Sequence, residues 1–270
     1  MFEKEISLAL IASEEASEAI RKVYENGFHA EYKEDNSPVT EADKQSEEII
    51  RSLLEESFPA DSFLSEETPD DGKRLSAKRV WIIDPLDGTK DFVEKNDEFT
   101  INIALSVDGK IVLGLICSPV LHKTWYAVKG QGAFVIENGA RHEISVSKRK
   151  KGEWILLCSS SPSSTKEATD FYLANPGLFV SPPLPLGSSL KMAIIAEGKA
   201  DLFFRTNDVT KEWDVAPAQI ILEEAGGHFV SCEDMNPFIY NKKDIRNHYG
   251  YLASSNLAFA CSKRVKKGNS

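Results

Sequence analysis

The sequence predicts an α/β fold, as one large domain or two intimately packed halves. Three observations lead there. The chain has 270 residues, a length that suits such a domain and allows a substantial buried core. An apolar pattern of helical period opens the chain, whereas residues 99–118 hold two β-rich runs around Asp108-Gly109. Beyond residue 153, strand-like and helix-like runs alternate, as they do where helices and sheets pack in layers.

Taken in order, residues 3–27 read as a helix. Ile6, Leu8, Leu10, Ile11, Ala16 and Ile20 recur at helical spacing, and Gly27 supplies a stop. A polar segment follows, EYKEDNSPVTEAD, and then a second helix over 43–54 whose apolar face is Ile49, Ile50, Leu53 and Leu54. Residues 67–78, ETPDDGKRLSAK, are polar, rich in turn formers, and read as an exposed loop. Residues 80–83 form a short buried strand that runs into DPLDGTKDF. FTINIALSV and IVLGLICSP then make the hairpin, with further strands at 124–128 and 132–136. The charged run SKRKKGE at 147–153 is either a subdomain boundary, dividing 1–148 from 149–270, or a solvated loop within one domain. Past it come a strand at 154–159, helices at 165–174 and 188–197, a strand at 201–205, and a helix at 214–225 ended by Gly226-Gly227. The basic tail KRVKKGNS reads as frayed.

Composition narrows the function classes. At 41% hydrophobic and 27% charged, the chain is neither disordered nor fibrous. Its 42 acidic residues outnumber 32 basic ones, and the net charge of −10 argues against nucleic-acid polymers and anionic membrane surfaces as partners. A phosphorylated small molecule remains compatible, because bound metal ions reverse the local field. Cys117, Cys158, Cys232 and Cys261 are scattered without a CxxC pair, which reads as reduced thiols rather than disulfides or a zinc site. The first twenty residues carry acids inside their apolar stretch, unlike a signal peptide, and no apolar run spans a bilayer. The expectation is a soluble, cytoplasmic protein.

The chemistry centres on Asp84-Pro85-Leu86-Asp87-Gly88-Thr89, at the end of a buried strand. Ligands of open α/β sheets gather at such carboxyl ends. Two carboxylates three residues apart in a tight turn either cap the following helix or converge on a cation that relieves their repulsion. Glu66-Glu67 is either a solvated pair or a second contributor, since adjacent side chains on an extended segment point to opposite faces. Asp214, after Trp213, is an N-cap candidate that can also aim an oxygen at a metal. Asp43 sits in the first turn of its helix, where negative charge is favoured in any case.

In this order, the four clusters resemble the lithium-sensitive, magnesium-dependent phosphatase superfamily. That group includes inositol monophosphatases, fructose-1,6-bisphosphatases and 3′(2′),5′-bisphosphate nucleotidases. Its pattern of an early Asp, an acidic pair, DPxDGT and WDxAA is met by Asp43, Glu66-Glu67, residues 84–89 and WDVAP at 213–217. Pro217 departs from the last motif, and a first helical turn would tolerate it. DNSPVTEAD (35–43), LSEE (64–67), NDEFTINIAL (96–105), GSSLK (187–191), AEGKADL (196–202) and TKEWDVAP (210–217) are most similar to the bisphosphate nucleotidases, several of them to the CysQ type. Asn207 stands where inositol monophosphatases usually carry a substrate-binding glutamate, seven residues before the WD aspartate.

The resemblance implies a layered αβαβα sandwich and two or three magnesium ions. It assigns Glu66, Asp84 and the Leu86 carbonyl to one ion, and Asp84, Asp87 and Asp214 to another. A third would lean on Glu66 and water. Thr89 and Asp43 would position and deprotonate the attacking water, while Gly88 and Thr89 amides contact the phosphate. Gly187, Ser188, Ser189 and Lys191 would meet the rest of the substrate, and Asp214 would contact the substrate as well as a metal. Lys191 is open between a second-phosphate ligand and a solvated helix residue. The implied activity is hydrolysis of adenosine 3′,5′-bisphosphate to AMP and phosphate, with inositol phosphate or fructose 1,6-bisphosphate as alternative substrates, by a monomer or homodimer.

Overall fold

The computed structural model describes residues 2–256 apart from 34, 35 and 208. The basic tail, Cys261 and Asp35 of the DNSPVTEAD run lie outside the described residues. The chain opens with helix α1 (Glu3–Asn26), a short antiparallel pair β1 (Glu31–Tyr32) and β2 (Pro38–Val39), and helix α2 (Glu41–Ser57). The buried face of α1 differs from the expected large-apolar stripe. It consists of Ala9, Ala12, Ser13, Ala16, Ser17 and Ile20, while Ile11 is 49% exposed. Small side chains let α1 lie close against α2.

Strand β3 (Ser62–Ser65) comes next. The expected exposed loop at 67–78 instead contains a 3-10 turn, Lys73–Ser76, that buries Arg74. The Arg74 guanidinium forks onto Asp70 Oδ2 at 3.0 and 2.8 Å and reaches Asn241 Oδ1 at 2.8 Å. Hydrogen bonds to a distant segment draw this polar stretch inward while Asp70 pairs the charge locally, and hydropathy does not register such contacts.

Strand β4 (Arg79–Asp87), the short helix α3 (Thr89–Val93), and strands β5 (Thr100–Val107), β6 (Lys110–Ser118), β7 (Lys123–Val128), β8 (Ala133–Glu137) and β9 (Ala140–Ile144) follow. They build a seven-stranded sheet in the order β3-β4-β5-β6-β7-β8-β9, antiparallel apart from the parallel β3–β4 pair. The expected hairpin turn has positive φ at both Asp108 (49°) and Gly109 (77°). Strand β9, ARHEI, was not expected, because a charged edge strand lacks the apolar alternation that marks a half-buried one.

The remaining elements are β10 (Leu157–Cys158), α4 (Pro162–Ala174), β11 (Leu184–Pro185), α5 (Leu190–Ala196), β12 (Leu202–Arg205), α6 (Glu212–Glu224), β13 (His228–Ser231) and β14 (Tyr251–Ser254). Strands β12-β14-β13 form an antiparallel sheet, and β10-β11 a parallel pair. The strand expected at 154–159 shrinks to two residues, with isolated bridges at Trp154–Phe179 and Leu156–Leu202.

Alternation along β4 and β5 fixes the layers. Trp81, Ile83, Ile101, Ile103 and Leu105 cluster with α1 and α2, whereas Val80, Ile82 and Ala104 cluster with α5 and α6. The far side of α5 and α6 packs on Phe203, Phe229 and Ala253 of the small sheet. Its outer face, through Leu202, Phe204 and Leu252, meets Ala168 of α4. The result is the αβαβα sandwich. No helix among the described residues is long and apolar enough to cross a membrane.

One expectation about α6 is corrected. The helix begins at Glu212, so Pro217 is its sixth residue rather than part of a first turn. Pro217 has no N–H for the Trp213 carbonyl, which accepts Asn102 Nδ2 at 3.4 Å instead. Close approach is possible because β6 offers Gly114 here: a Cβ on it would lie 2.7 Å from the Pro217 Cα and 2.6 Å from Ile220 Cγ2.

Candidate metal and phosphate site

Register brings Asp84 and Asp87 together. In a regular strand, residues three apart point to opposite faces. Between them β4 shifts register against β5: Asp84 pairs with Asn102, and Asp87 with Thr100. Pro85 and Leu86 on one strand oppose Ile101 alone on the other, and this one-residue bulge returns Asp87 to the face of Asp84. Pro85, which cannot donate a ladder hydrogen bond, sits inside the irregularity. Asp214 joins from the first turn of α6, with its Oδ2 accepting the Lys211 N–H at 2.6 Å. It therefore caps α6 from inside the helix rather than as the N-cap residue. Carboxylate oxygens of Asp84, Asp87 and Asp214 all lie within 4.8 Å of one another.

These carboxylates are poorly suited to being left alone. Asp84 is buried, and its Oδ2 makes no hydrogen bond among the described residues. Burial, then Glu66, Asp87 and Asp214, hold the Asp84 carboxyl well above the usual carboxylate range. Burial followed by Asp87 and Glu66 does the same to Asp214. An orphaned buried oxygen amid converging carboxylates fits a hard divalent cation, and the oxygen-only donor set suits magnesium.

Glu66 follows the last residue of β3, and Ser65 pairs with Ile83 in the parallel register. This puts Glu66 beside Asp84 at the carboxyl ends of adjacent strands. Burial raises the Glu66 pKa, partly offset by Lys33. Lys33 Nζ lies 2.6 Å from Glu67 Oε1 and 3.5 Å from Glu66 Oε1, so both glutamates reach one cation. Burial pulls Lys33 down, yet Glu66, Glu67 and Asp43 together leave its pKa raised.

Asp43 and Thr89 also meet as expected. Thr89 Oγ1 donates to Asp43 Oδ1 at 2.8 Å and lies 3.1 Å from the Leu86 carbonyl oxygen. Asp43 Oδ2 is already bonded to the Thr40 N–H and hydroxyl, both at 2.7 Å, as part of the N-terminal cap of α2. Burial raises the Asp43 pKa, against the pull of the Thr40 and Thr89 hydrogen bonds. Gly88 precedes α3 at φ 91°, with Glu98 O, Asp91 Oδ2 and Ser188 Cβ so near that a side chain would crowd them.

The GSSLK segment divides its roles. Gly187 donates its N–H to Glu98 Oε2 at 2.6 Å. Ser188 takes φ 43° and lines a cavity of about 250 Å³ beside Asp87 and Asp214. Ser189 is fully buried, with its N–H and Oγ each 2.7 Å from Asp87 Oδ2 and its Oγ 2.9 Å from the Asp214 carbonyl. Ser189 therefore orients Asp87, and Asn102 Nδ2 supports both at 3.2 and 2.9 Å. Lys191 is buried, not a solvated helix residue: its Nζ donates to the Leu186 and Ser188 carbonyls at 3.0 and 2.6 Å and lies over the Phe203 ring. Burial pulls its pKa down to about 8, with Asp87 resisting and Arg205 assisting.

Sequence reasoning missed Asn102, Lys33 and Arg205. Arg205 ends β12 and lines the same cavity, and its Nε is buried without a hydrogen-bond partner. An arginine closing an otherwise apolar strand, LFFR, was the available signal. The other two act through tertiary contacts that no local pattern encodes.

Comparison with known proteins agrees with this geometry. The model of the inositol monophosphatase family matches residues 3–267. A curated relative, 3′(2′),5′-bisphosphate nucleotidase CysQ of Salmonella typhimurium, is 39% identical over 216 residues, covering 79% of this chain and 85% of its own. The crystal structure of CysQ from Bacteroides thetaiotaomicron superposes with a TM-score of 0.80 at 30% identity, covering 94% of this chain and 98% of that one. The SuhB extragenic suppressor protein of Bartonella henselae gives 0.81 at 25% identity, covering 99% and 100%. With the match spanning nearly the whole chain and the layered fold shared end to end, the chain belongs to the inositol monophosphatase family.

Proposed function

We propose that this chain is a magnesium-dependent phosphatase that hydrolyses the 3′-phosphate of adenosine 3′,5′-bisphosphate to AMP and phosphate. The observation that carries the reading is the adjacency of two unlike sites. Asp87 and Asp214, which converge with Asp84, share a cavity wall with two buried or half-buried cations, Lys191 and Arg205. Burial and Arg205 both disfavour the Lys191 charge, and an anion between them relieves that cost. A substrate with two phosphates fits: one at the carboxylates, one at the cations. The 39% identity to a CysQ nucleotidase supports the same choice.

Glu66, Asp84 and the Leu86 carbonyl would hold one magnesium ion, and Asp84, Asp87 and Asp214 a second, with Glu66 also serving a third. When bound, the ions supply charge neutralisation of the phosphate and acidify water. The chain's own residues do the rest. As the attacking water hands a proton to Thr89 Oγ1, Thr89 would pass its own proton along the hydrogen bond to Asp43 Oδ1. Burial makes Asp43 a stronger base than an exposed aspartate, the direction a general base requires. Ser189 and Asn102 hold Asp87 in place, while Gly88 and Ser188 line the cavity beside it, where the phosphate would approach. The division at residues 148/149 would separate the half carrying most metal ligands from the half carrying Asp214 and the substrate contacts.

Phosphate release with magnesium from adenosine 3′,5′-bisphosphate, inositol 1-phosphate and fructose 1,6-bisphosphate tests the substrate assignment. Preferred turnover of either sugar phosphate overturns it.

A further inference from the structure

Three buried side chains on one face of α2 reach three separate segments of the site. Asp43 accepts from Thr89. One turn on, Ser46 Oγ donates to the Pro85 carbonyl at 2.8 Å, inside the bulge that aligns Asp84 with Asp87. Beside it, Glu47 Oε2 accepts the Glu67 N–H at 3.0 Å, and Glu47 Oε1 accepts the Thr68 hydroxyl. Positions 43, 46 and 47 form one helical stripe, and it continues as Ile50 and Leu54. The stripe is polar where it meets the site and apolar below it. A helix that only packed against the sheet would keep the stripe apolar throughout.

Glu47 is the least explained of the three. It is 5% exposed, and burying a carboxylate is unfavourable unless hydrogen bonds compensate. Arg51 Nη1 lies 3.7 Å from Oε1, but both hydrogen bonds of the carboxylate go to the backbone and side chain of the segment that carries Glu66. The sheet fixes that segment only as far as Ser65, where β3 ends. Beyond this point, the direction of Glu66 depends on what holds residues 66–68. Lys33 pulls on the side chains of Glu66 and Glu67, whereas Glu47 anchors the main chain itself.

We propose that Glu47 is a positioning residue for the metal centre: from the rigid frame of α2 it fixes the 66–68 backbone so that the Glu66 carboxylate faces Asp84. The inference rests on reading Glu66, Asp84, Asp87 and Asp214 as a divalent-cation site. It makes α2 a common frame for the water-activating pair, the aspartate bulge and the glutamate segment.

The test uses Mn²⁺ alone, titrated into the metal-free chain without any phosphoester and followed by the electron paramagnetic resonance signal of free Mn²⁺. Glu47→Leu, checked for native circular dichroism, is expected to raise the Mn²⁺ Kd by about tenfold to a hundredfold, the usual effect of losing an outer partner of a metal ligand. Glu47→Gln is expected to stay within about threefold of wild type, because its amide retains an oxygen for the Glu67 N–H and a donor for Thr68. Thr68→Val removes one of the two bonds from the other side and is expected to weaken binding by an intermediate factor; it decides the matter if Glu47→Leu does not fold. Wild-type affinity in folded Glu47→Leu or in Thr68→Val overturns the inference, as does an equal loss in Glu47→Gln and Glu47→Leu. If the wild-type chain itself binds no Mn²⁺, the metal reading falls and takes this inference with it.

Discussion

Thr89 Oγ1 donates to Asp43 Oδ1 at 2.8 Å, joining the first turns of two helices across 46 positions of sequence. The two oxygens of Asp43 are divided between tasks: Oδ2 caps its own helix through Thr40, and Oδ1 is left for Thr89. The same carboxylate thus stabilises α2 and holds the Thr89 hydroxyl beside the Leu86 carbonyl. Removing the hydroxyl leaves the cap intact. Thr89→Val is therefore expected to lower kcat by about a hundredfold to ten-thousandfold, the span of general acid–base effects, with KM little changed. Thr89→Ser keeps the hydroxyl and is expected to recover most of the rate. Steady-state kinetics on the two variants checks the pair.

Asp84 concentrates repulsion in the metal-free protein. It is buried, and one of its oxygens lacks a partner. Asp84→Asn removes one of three converging charges, so the metal-free variant is expected to melt above metal-free wild type, by about 2–4 °C for each kcal/mol of repulsion relieved at this chain length. The same variant loses the upward shift in Tm that saturating magnesium gives wild type, about 2.7 kcal/mol of stabilisation at a hundred times Kd. Thermal melts with and without magnesium read both effects.

Gly187 has no space for a side chain. A Cβ there would lie 2.7 Å from Glu98 O and 2.8 Å from Asp91 Oδ2. Gly187→Ala is expected to destabilise the fold by about 1–3 kcal/mol, the usual cost of overpacking, and to raise KM as the Ser188 turn shifts. Urea denaturation and substrate titration check the two parts separately.

The cavity cations give a pH signature. Lys191 is held at about 8, below its ordinary 10.5. The folded chain therefore binds fewer protons than the unfolded chain between about 8 and 10.5, and the contribution of Lys191 to stability rises with pH across that window. Its contribution to anion binding runs the other way, present below about 8 and lost above it. KM for adenosine 3′,5′-bisphosphate is expected to climb as pH rises through 8, and Lys191→Met is expected to flatten that climb. Arg205→Met is expected to lower kcat/KM for the bisphosphate by about tenfold to a hundredfold, the worth of a charged hydrogen bond. It should leave adenosine 3′-phosphate nearly unaffected. A pH series of KM values and the two-substrate comparison test these expectations.

The legible parts of this molecule were those written in local pattern. The long helices, the β5–β6 hairpin and the gathering of Asp84, Asp87 and Asp214 follow from periodicity, turn residues and motif order. What the sequence concealed depends on contacts between distant positions. Ser189 reads as a substrate-facing serine in a small-residue run, yet it reaches Asp87 across 102 positions and is fully buried there. Arg74 sits in a segment of solvent-loving composition, yet Asn241 and the Lys242 carbonyl draw it inward. Asp84 and Asp87 suggest convergence by spacing alone, but the cause is a one-residue register shift against β5 that only strand pairing reveals.

The most direct measurement follows adenosine 3′,5′-bisphosphate by phosphorus nuclear magnetic resonance with wild type and Asp87→Asn, in magnesium and in EDTA. The account predicts inorganic phosphate and a surviving 5′-phosphate resonance from wild type in magnesium, with no release in EDTA and next to none from Asp87→Asn. Release in EDTA, wild-type turnover by Asp87→Asn, or loss of the 5′-phosphate in place of the 3′-phosphate would contradict it.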